Sequence, residues 1–356
     1  MESETVSLKA SNDALSSSSQ ESPSTVKPEE EPFLNFDVNS DLSFEDQSTI
    51  YNSLVVLVKA EHPFDTALQD KAVHFLKSLE PLWDTQLAAK LVTDLVPFSV
   101  GSHSGFVTSI FTLLSSPHSR VVAATLSFLY NITDSSSTEI RCRLVVPNLI
   151  SKVLATVQPH TLPITGNKEI FDALIRIIDN CLCLADPLSL SELDITTAID
   201  AFNHREMIFQ KVVIPSSQFV MILITNRHIL SGDLFGNFMN LLSTLLQLGP
   251  FHRATLEFVL ASQIPMAFSS CLSSVEDDLC LWGILMDINR SLREWKTESA
   301  EVAQSGKRTM QALFSEGFED TLEQMLMNNK NGNYGWNLVD ECLSVTQLLS
   351  LNVKNR

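Results

Sequence analysis

From about Ser43 onward the apolar residues recur at the 3.6-residue spacing of helices. Ala72, Leu76, Leu79 and Trp83 fall at i, i+4, i+7 and i+11, one stripe on one helical face. Val122, Leu126, Leu129 and Thr133 repeat that spacing, and Leu76 and Leu126 stand 50 residues apart. A second marker keeps the same interval: two apolar residues, a proline, then a helix-like run. It reads Leu95-Val96-Pro97, Val145-Val146-Pro147 and Val213-Ile214-Pro215, and more loosely Gln263-Ile264-Pro265, with prolines 50, 68 and 50 residues apart. Recurrence at such a period predicts stacked helical units, here about five irregular ones.

Local signals place the helix ends. Proline suits the first turn of a helix, where its missing N–H has no intrahelical partner to lose. Pro147 therefore opens Asn148 to Val157, with Leu149, Val153, Leu154 and Val157 on one face. Pro215 opens Ser216 to Ile224, Pro265 opens Met266 to Leu272, and Pro117 begins the helix Ser119 to Tyr130. Ser189 with Glu192 and Ser273 with Glu276 have the spacing of capping boxes. The wider interval between Pro147 and Pro215 predicts an insertion near 159–204, from Pro159 to Asn167 plus a polar helix around Ser191 to His204. A last unit runs from Cys280 to Met327, with Gly317-Phe318-Glu319 in place of the apolar–proline step. Asn328 to Gly335 breaks the helix, and 337–351 reads as a C-terminal capping helix. Met221 to Ile224 has strand propensity, but its neighbours keep the helical period and no hairpin dipeptide pairs two such runs. The fold class is all-α.

Composition narrows this further. With 44% hydrophobic residues, 19% charged residues and 11 glycines in 356, the chain suits helices buried between neighbours. The net charge is −18, half of it from residues 1–50, which hold 11 acidic and 2 basic side chains. Residues 1–32 are Ser- and Glu-rich with too little apolar surface to offset ordering entropy, so they read as a disordered acidic tail. Ser22-Pro23 offers a phosphorylation site there, and Phe33-Leu34-Asn35-Phe36 could dock the tail on the first helices. Residues 33–356 read as the helical repeat domain. The acidic balance repels phosphate backbones and anionic membranes, and no Lys/Arg cluster offsets it. No nucleic-acid partner is expected. With no run of about 18 apolar residues and no signal-peptide pattern, membrane insertion is not expected either. The cytoplasm is the expected location, the nucleus staying open.

One stretch resembles a known family. Ser119 to Thr133, SRVVAATLSFLYNIT, resembles an alanine–leucine helix of an armadillo repeat ending in an Asn-Leu-type step. Ile140 to Val157, around Val146-Pro147, resembles that repeat's loop and its Gly-Ile-Pro-like entry into a Leu-rich helix, and Leu245 to Cys271 is a looser match. Weaker likeness extends over residues 45–350. The entry glycine is missing, with Leu144 or Val145 and Ser262 or Gln263 in its place, and the ~50-residue period is longer than the family's usual ~42. The resemblance implies a right-handed superhelical α-solenoid of divergent armadillo/HEAT-type repeats. In importin-type members Trp and Asn ladders grip basic peptides. Here Asn148, Ser216 and Met266 follow the prolines and no tryptophan lies in those helices, so nuclear-signal binding has no support.

Candidate chemistry is sparse. Cys181-Leu182-Cys183 places two thiols that do not share a helical face, and no second Cys/His pair stands at ligand spacing. The six cysteines read as buried free thiols. His74 and His252 sit near helical stripes without a ligand pattern. Asp277-Asp278 and Glu319-Asp320 fall at helix starts, where carboxylates complement the helix dipole. Arg290, Arg293, Trp295 and Lys296 form the one basic-aromatic grouping, a solvated face or a partner-binding patch. No nucleotide-loop, hydrolase or kinase signature occurs. The expected function is a non-enzymatic scaffold or adaptor that binds a protein or peptide partner on the concave face of the array. The alternative is a regulatory subunit of an enzyme complex, such as a kinase or phosphatase assembly. No catalytic, cofactor-binding or metal-binding residue is assigned, and no cofactor is expected.

Overall fold

A computed structural model describes residues 105–135, 137–158, 163–275, 277–329 and 336–353. The stripe from Ala72 to Trp83, the Leu95-Val96-Pro97 step, His74 and the N-terminal tail lie outside the described residues. Every regular element among the described residues is a helix. In chain order the first eight are α1 (Gly105–Leu114), α2 (Ser119–Ser135), α3 (Thr138–Val145), α4 (Leu149–Val157), α5 (Lys168–Leu182), α6 (Pro187–Glu192), α7 (Ala198–Ile208) and α8 (Ile214–Thr225). They are followed by α9 (Asp233–Leu248), α10 (Arg253–Ala261), α11 (Ile264–Leu272), α12 (Asp278–Thr297), α13 (Ala300–Ser315), α14 (Phe318–Asn329) and α15 (Trp336–Val353).

A central series organises these helices: α2 packs on α5, α5 on α9, α9 on α12 and α12 on α15. A flanking set lies against it, with α1 touching α4, α4 touching α8, and α11 touching both α9 and α14. Helices with neighbours on several sides must be apolar over most of their circumference. Accordingly α9 buries Leu234, Phe238, Leu241, Leu242 and Leu245, and α5 buries Phe171, Leu174, Ile175 and Ile178. Flanking helices need less: α4 buries only Leu149, Ile150, Val153 and Val157. Leu154, expected on that face, is half-buried. Aromatic pairs tie helices together, Phe171 of α5 stacking on Phe219 of α8 across the two sets at 5.4 Å and Phe268 of α11 meeting Phe318 of α14 at 6.0 Å. Each fully buried Phe is worth roughly 1.5–3 kcal/mol relative to exposure.

The three described apolar–proline steps are not built alike. Pro265 sits in the first turn of α11, behind Gln263 in the left-handed conformation at φ 58°. At Pro147 the left-handed residue comes after the proline, Asn148 at φ 65°, and α3 runs unbroken to Val145. Pro215 opens nothing. Residues Ala198–Thr225 are one continuous helix, with a π-helical turn over Phe209–Val213 just before the proline. A wider turn is how a helix takes in a residue that can neither donate its N–H nor fit the preceding carbonyl closely. The Ser216 hydroxyl donates to the Val212 and Val213 carbonyls at 2.7 and 3.2 Å, satisfying acceptors in that turn.

Both expected capping boxes are corrected. Asp186 caps α6, accepting from the Leu188 N–H at 2.8 Å, with Pro187 in its first turn, so Ser189 lies inside the helix. Glu192 instead accepts from the Thr138 hydroxyl of α3. Ser273 closes α11, and Asp277 caps α12 by accepting from Leu279 and Cys280 at 2.8 and 3.1 Å. Aspartate outcompetes serine at these caps because its charge also complements the helix dipole. Within 159–204, residues 168–182 form α5 of the central series, and the additional elements are α6 and α7. Gly317 at φ 79° precedes α14, as its replacement of the proline step predicts. By length and composition, Ala198–Thr225 is long and apolar enough to cross a membrane, and 44% of its most apolar window is packed inside the fold.

Candidate functional site

The central helices are not apolar all round. Each of α5, α9 and α12 carries one line of polar residues at helical spacing. On α5 these are Asp172, Arg176, Asp179 and the thiol of Cys183, and on α9 they are Asn237, Asn240, Thr244 and Gln247. On α12 the line runs through Cys280, Asp287, Arg290 and Glu294, and α2 contributes Tyr130 and Thr133 at its C-terminal end. Intervals of three, four or seven residues keep each line on one face. Most of these side chains are half-buried.

Contacts between neighbouring helices show that the lines are in register. From α2 to α5, the Arg176 guanidinium lies 5.1 Å from the Tyr130 ring centroid, and Asn180 donates to the Thr133 hydroxyl at 3.3 Å. From α5 to α9, the Asn237 amide donates to Asp172 at 2.6 Å, and the Thr244 hydroxyl lies beside Asp179. From α9 to α12, the Cys280 thiol points at the side-chain carbonyl of Asn240, 3.9 Å away, and the Trp295 indole N–H donates to the main-chain carbonyl of Gln247 at 3.3 Å. On to α15, the Asn289 amide donates to Glu341 at 2.9 Å. The result is a polar stripe crossing successive helices.

Electrostatically the stripe leans acidic. Arg176 is engaged by Asp172 at 3.1 Å, and although burial works against its charge, Tyr130 and Asp172 outweigh it. Arg290 is shared among Asp287, Asp186 and Glu294 at 3.4, 3.5 and 3.9 Å. Burial raises the Asp287 and Glu294 carboxyls. At the α9 N-terminus the stripe opens into a cleft of about 640 Å³. Arg176, Asn237 and Asn240 line it together with Asp233, Phe235 and Asp277. Gly236 permits this packing, since a Cβ there would stand 3.3 Å from the Cys280 sulfur.

Of the residues singled out in the sequence, Cys183 and Arg290 lie on the stripe and Asp277 lines its cleft. Cys181 is buried and Cys183 half-buried, neither in a disulfide, and burial pushes the Cys181 thiol up to about 12 and that of Cys183 higher still. Thiols so protonated are poor nucleophiles. His252 caps α10, accepting from the Thr255 N–H, and its Nε2 meets Glu206 at 2.9 Å beside the Phe209 ring. Asp277 is a helix cap, and Glu319 and Asp320 lie in the first turn of α14. Of the Arg290–Lys296 grouping Trp295 is buried, while Arg290, Arg293 and Lys296 are exposed, with Arg290 also ion-paired to Asp186. Among the described residues no three His, Cys, Asp or Glu converge as metal ligands. The polar stripe escaped sequence reading. Its signal is the run Asn237, Asn240, Thr244 and Gln247 inside an otherwise apolar helix.

The chain matches no family model, and no curated protein matches it.

Proposed function

We propose that this chain is a non-enzymatic binding scaffold, a divergent armadillo/HEAT-type helical array that grips an extended peptide or helix of a protein partner along its polar stripe. The observation that carries this reading is the register of the stripe across α5, α9 and α12. Hydrogen bonds between helices, such as Asn237 to Asp172, use only part of each amide's bonding capacity, and the rest need not go to water. Amides and carboxylates repeated at one level on successive helices can instead meet the evenly spaced polar groups of a bound backbone. Series of stacked helices present such extended surfaces. The acidic lean favours a partner of basic or neutral charge.

The reading is tested by affinity purification of the tagged full chain beside the variant Asn237→Ala/Asn240→Ala/Gln247→Ala. The expected result is that partners captured by the wild type are lost from the variant, with its helical circular dichroism unchanged. Equal capture by a folded variant would count against it.

A further inference from the structure

Asp179 stands where α5, α9 and α12 meet. Its Oδ1 is sealed from solvent without a hydrogen-bond partner, and the Thr244 hydroxyl of α9 lies beside the carboxyl. No free counter-charge faces it. On α12 its neighbour is the like-charged Asp287, and Arg290, the cation on the polar line of that helix, is already divided among three carboxylates. Asn240, Thr244 and Gln247 of α9 bring no charge. On its own helix Arg176, one turn earlier, is engaged by Asp172 and Tyr130, and one turn later stand the Cys181 and Cys183 thiols, which Arg141 of α3 also approaches, with Asp186 beyond them. Arg205 of α7 is drawn to Glu298 and Asp186. A buried carboxylate in such company is unfavourable, while the neutral acid needs no counter-ion.

We propose that this joint is a proton-binding clasp: one proton taken up by Asp179 makes α5, α9 and α12 hold together more firmly as the medium turns mildly acidic. Burial is the largest influence and, with Asp287 adding and Thr244 opposing, it raises Asp179 to about 6. That lies above the ordinary carboxyl value. The folded chain therefore holds a proton between pH of about 4 and 6 that the unfolded chain has released, and stability falls as pH rises through 6. His204, lowered chiefly by burial, works in the opposite direction, so the comparison must be between proteins that share it.

The test is urea unfolding of the full chain and of Asp179→Asn, which mimics the neutral acid, at pH 7 and pH 5. The wild type is expected to gain about tenfold in folding constant relative to the variant on acidification, and the variant to be at least as stable at pH 7. A difference between the two that does not change with pH would overturn the proposal. Should the variant not fold, carboxyl carbon NMR of the wild type decides: a midpoint near 6 for Asp179 supports the clasp, and one below about 4.5 overturns it.

Discussion

Gln263 and Gly306 show how far single residues are fixed by what surrounds them. Gln263 holds the left-handed conformation directly before Ile264-Pro265, where a side chain costs about 1 kcal/mol or more relative to glycine. The missing entry glycine noted in the sequence is thus missing in residue type only at this step, since the backbone still bends as glycine would. Gln263→Gly is expected to stabilise the fold by about 1 kcal/mol, read from the urea midpoint. Gly306 is the converse. A Cβ there would lie 2.9 Å from Cε3 of Trp295, a ring held by its N–H bond to the Gln247 carbonyl. Gly306→Ala should therefore cost about 1–3 kcal/mol, with the Trp295 emission shifted in the same variant. Neither constraint was legible beforehand, because both depend on residues about ten or more positions away or on a backbone turn that several residue types tolerate.

Individual elements were more legible, though their ends were not. The apolar spacing of Val122, Leu126, Leu129 and Thr133 predicts a buried helical face, and all four are buried in α2. Proline alone was ambiguous, since it can begin a helix or be absorbed by one. At Pro265 a turn precedes it, whereas at Pro215 the π-helical turn carries the chain through. The two prolines should respond oppositely to replacement. Pro215→Ala restores a backbone donor in mid-helix and should stabilise by about 1–3 kcal/mol. Pro265→Ala frees the unfolded chain and should cost about 0.4–1 kcal/mol. Thermal unfolding of the two variants side by side checks the sign of each. The capping boxes failed for a similar reason: serine and aspartate both stood near each helix start, and the charged residue prevailed.

At the scale of the molecule, the 3.6-residue apolar spacing anticipated the helices found throughout the described residues. It did not reveal the polar stripe, because half-buried amides in an apolar run look like ordinary interruptions until neighbouring helices bring them level. Arg290 illustrates this. Read along the chain it belonged with Trp295 and Lys296, but in the fold it belongs with Asp186 and Asp287 across the stripe. The central claim is that partners bind along this stripe, and site-specific photo-crosslinking tests it most directly. A crosslinking residue is placed at Asn240, within the stripe, or at Met327, exposed on α14 away from it. Partner adducts are predicted from position 240 and not from position 327. Adducts from 327 with none from 240 would contradict the account.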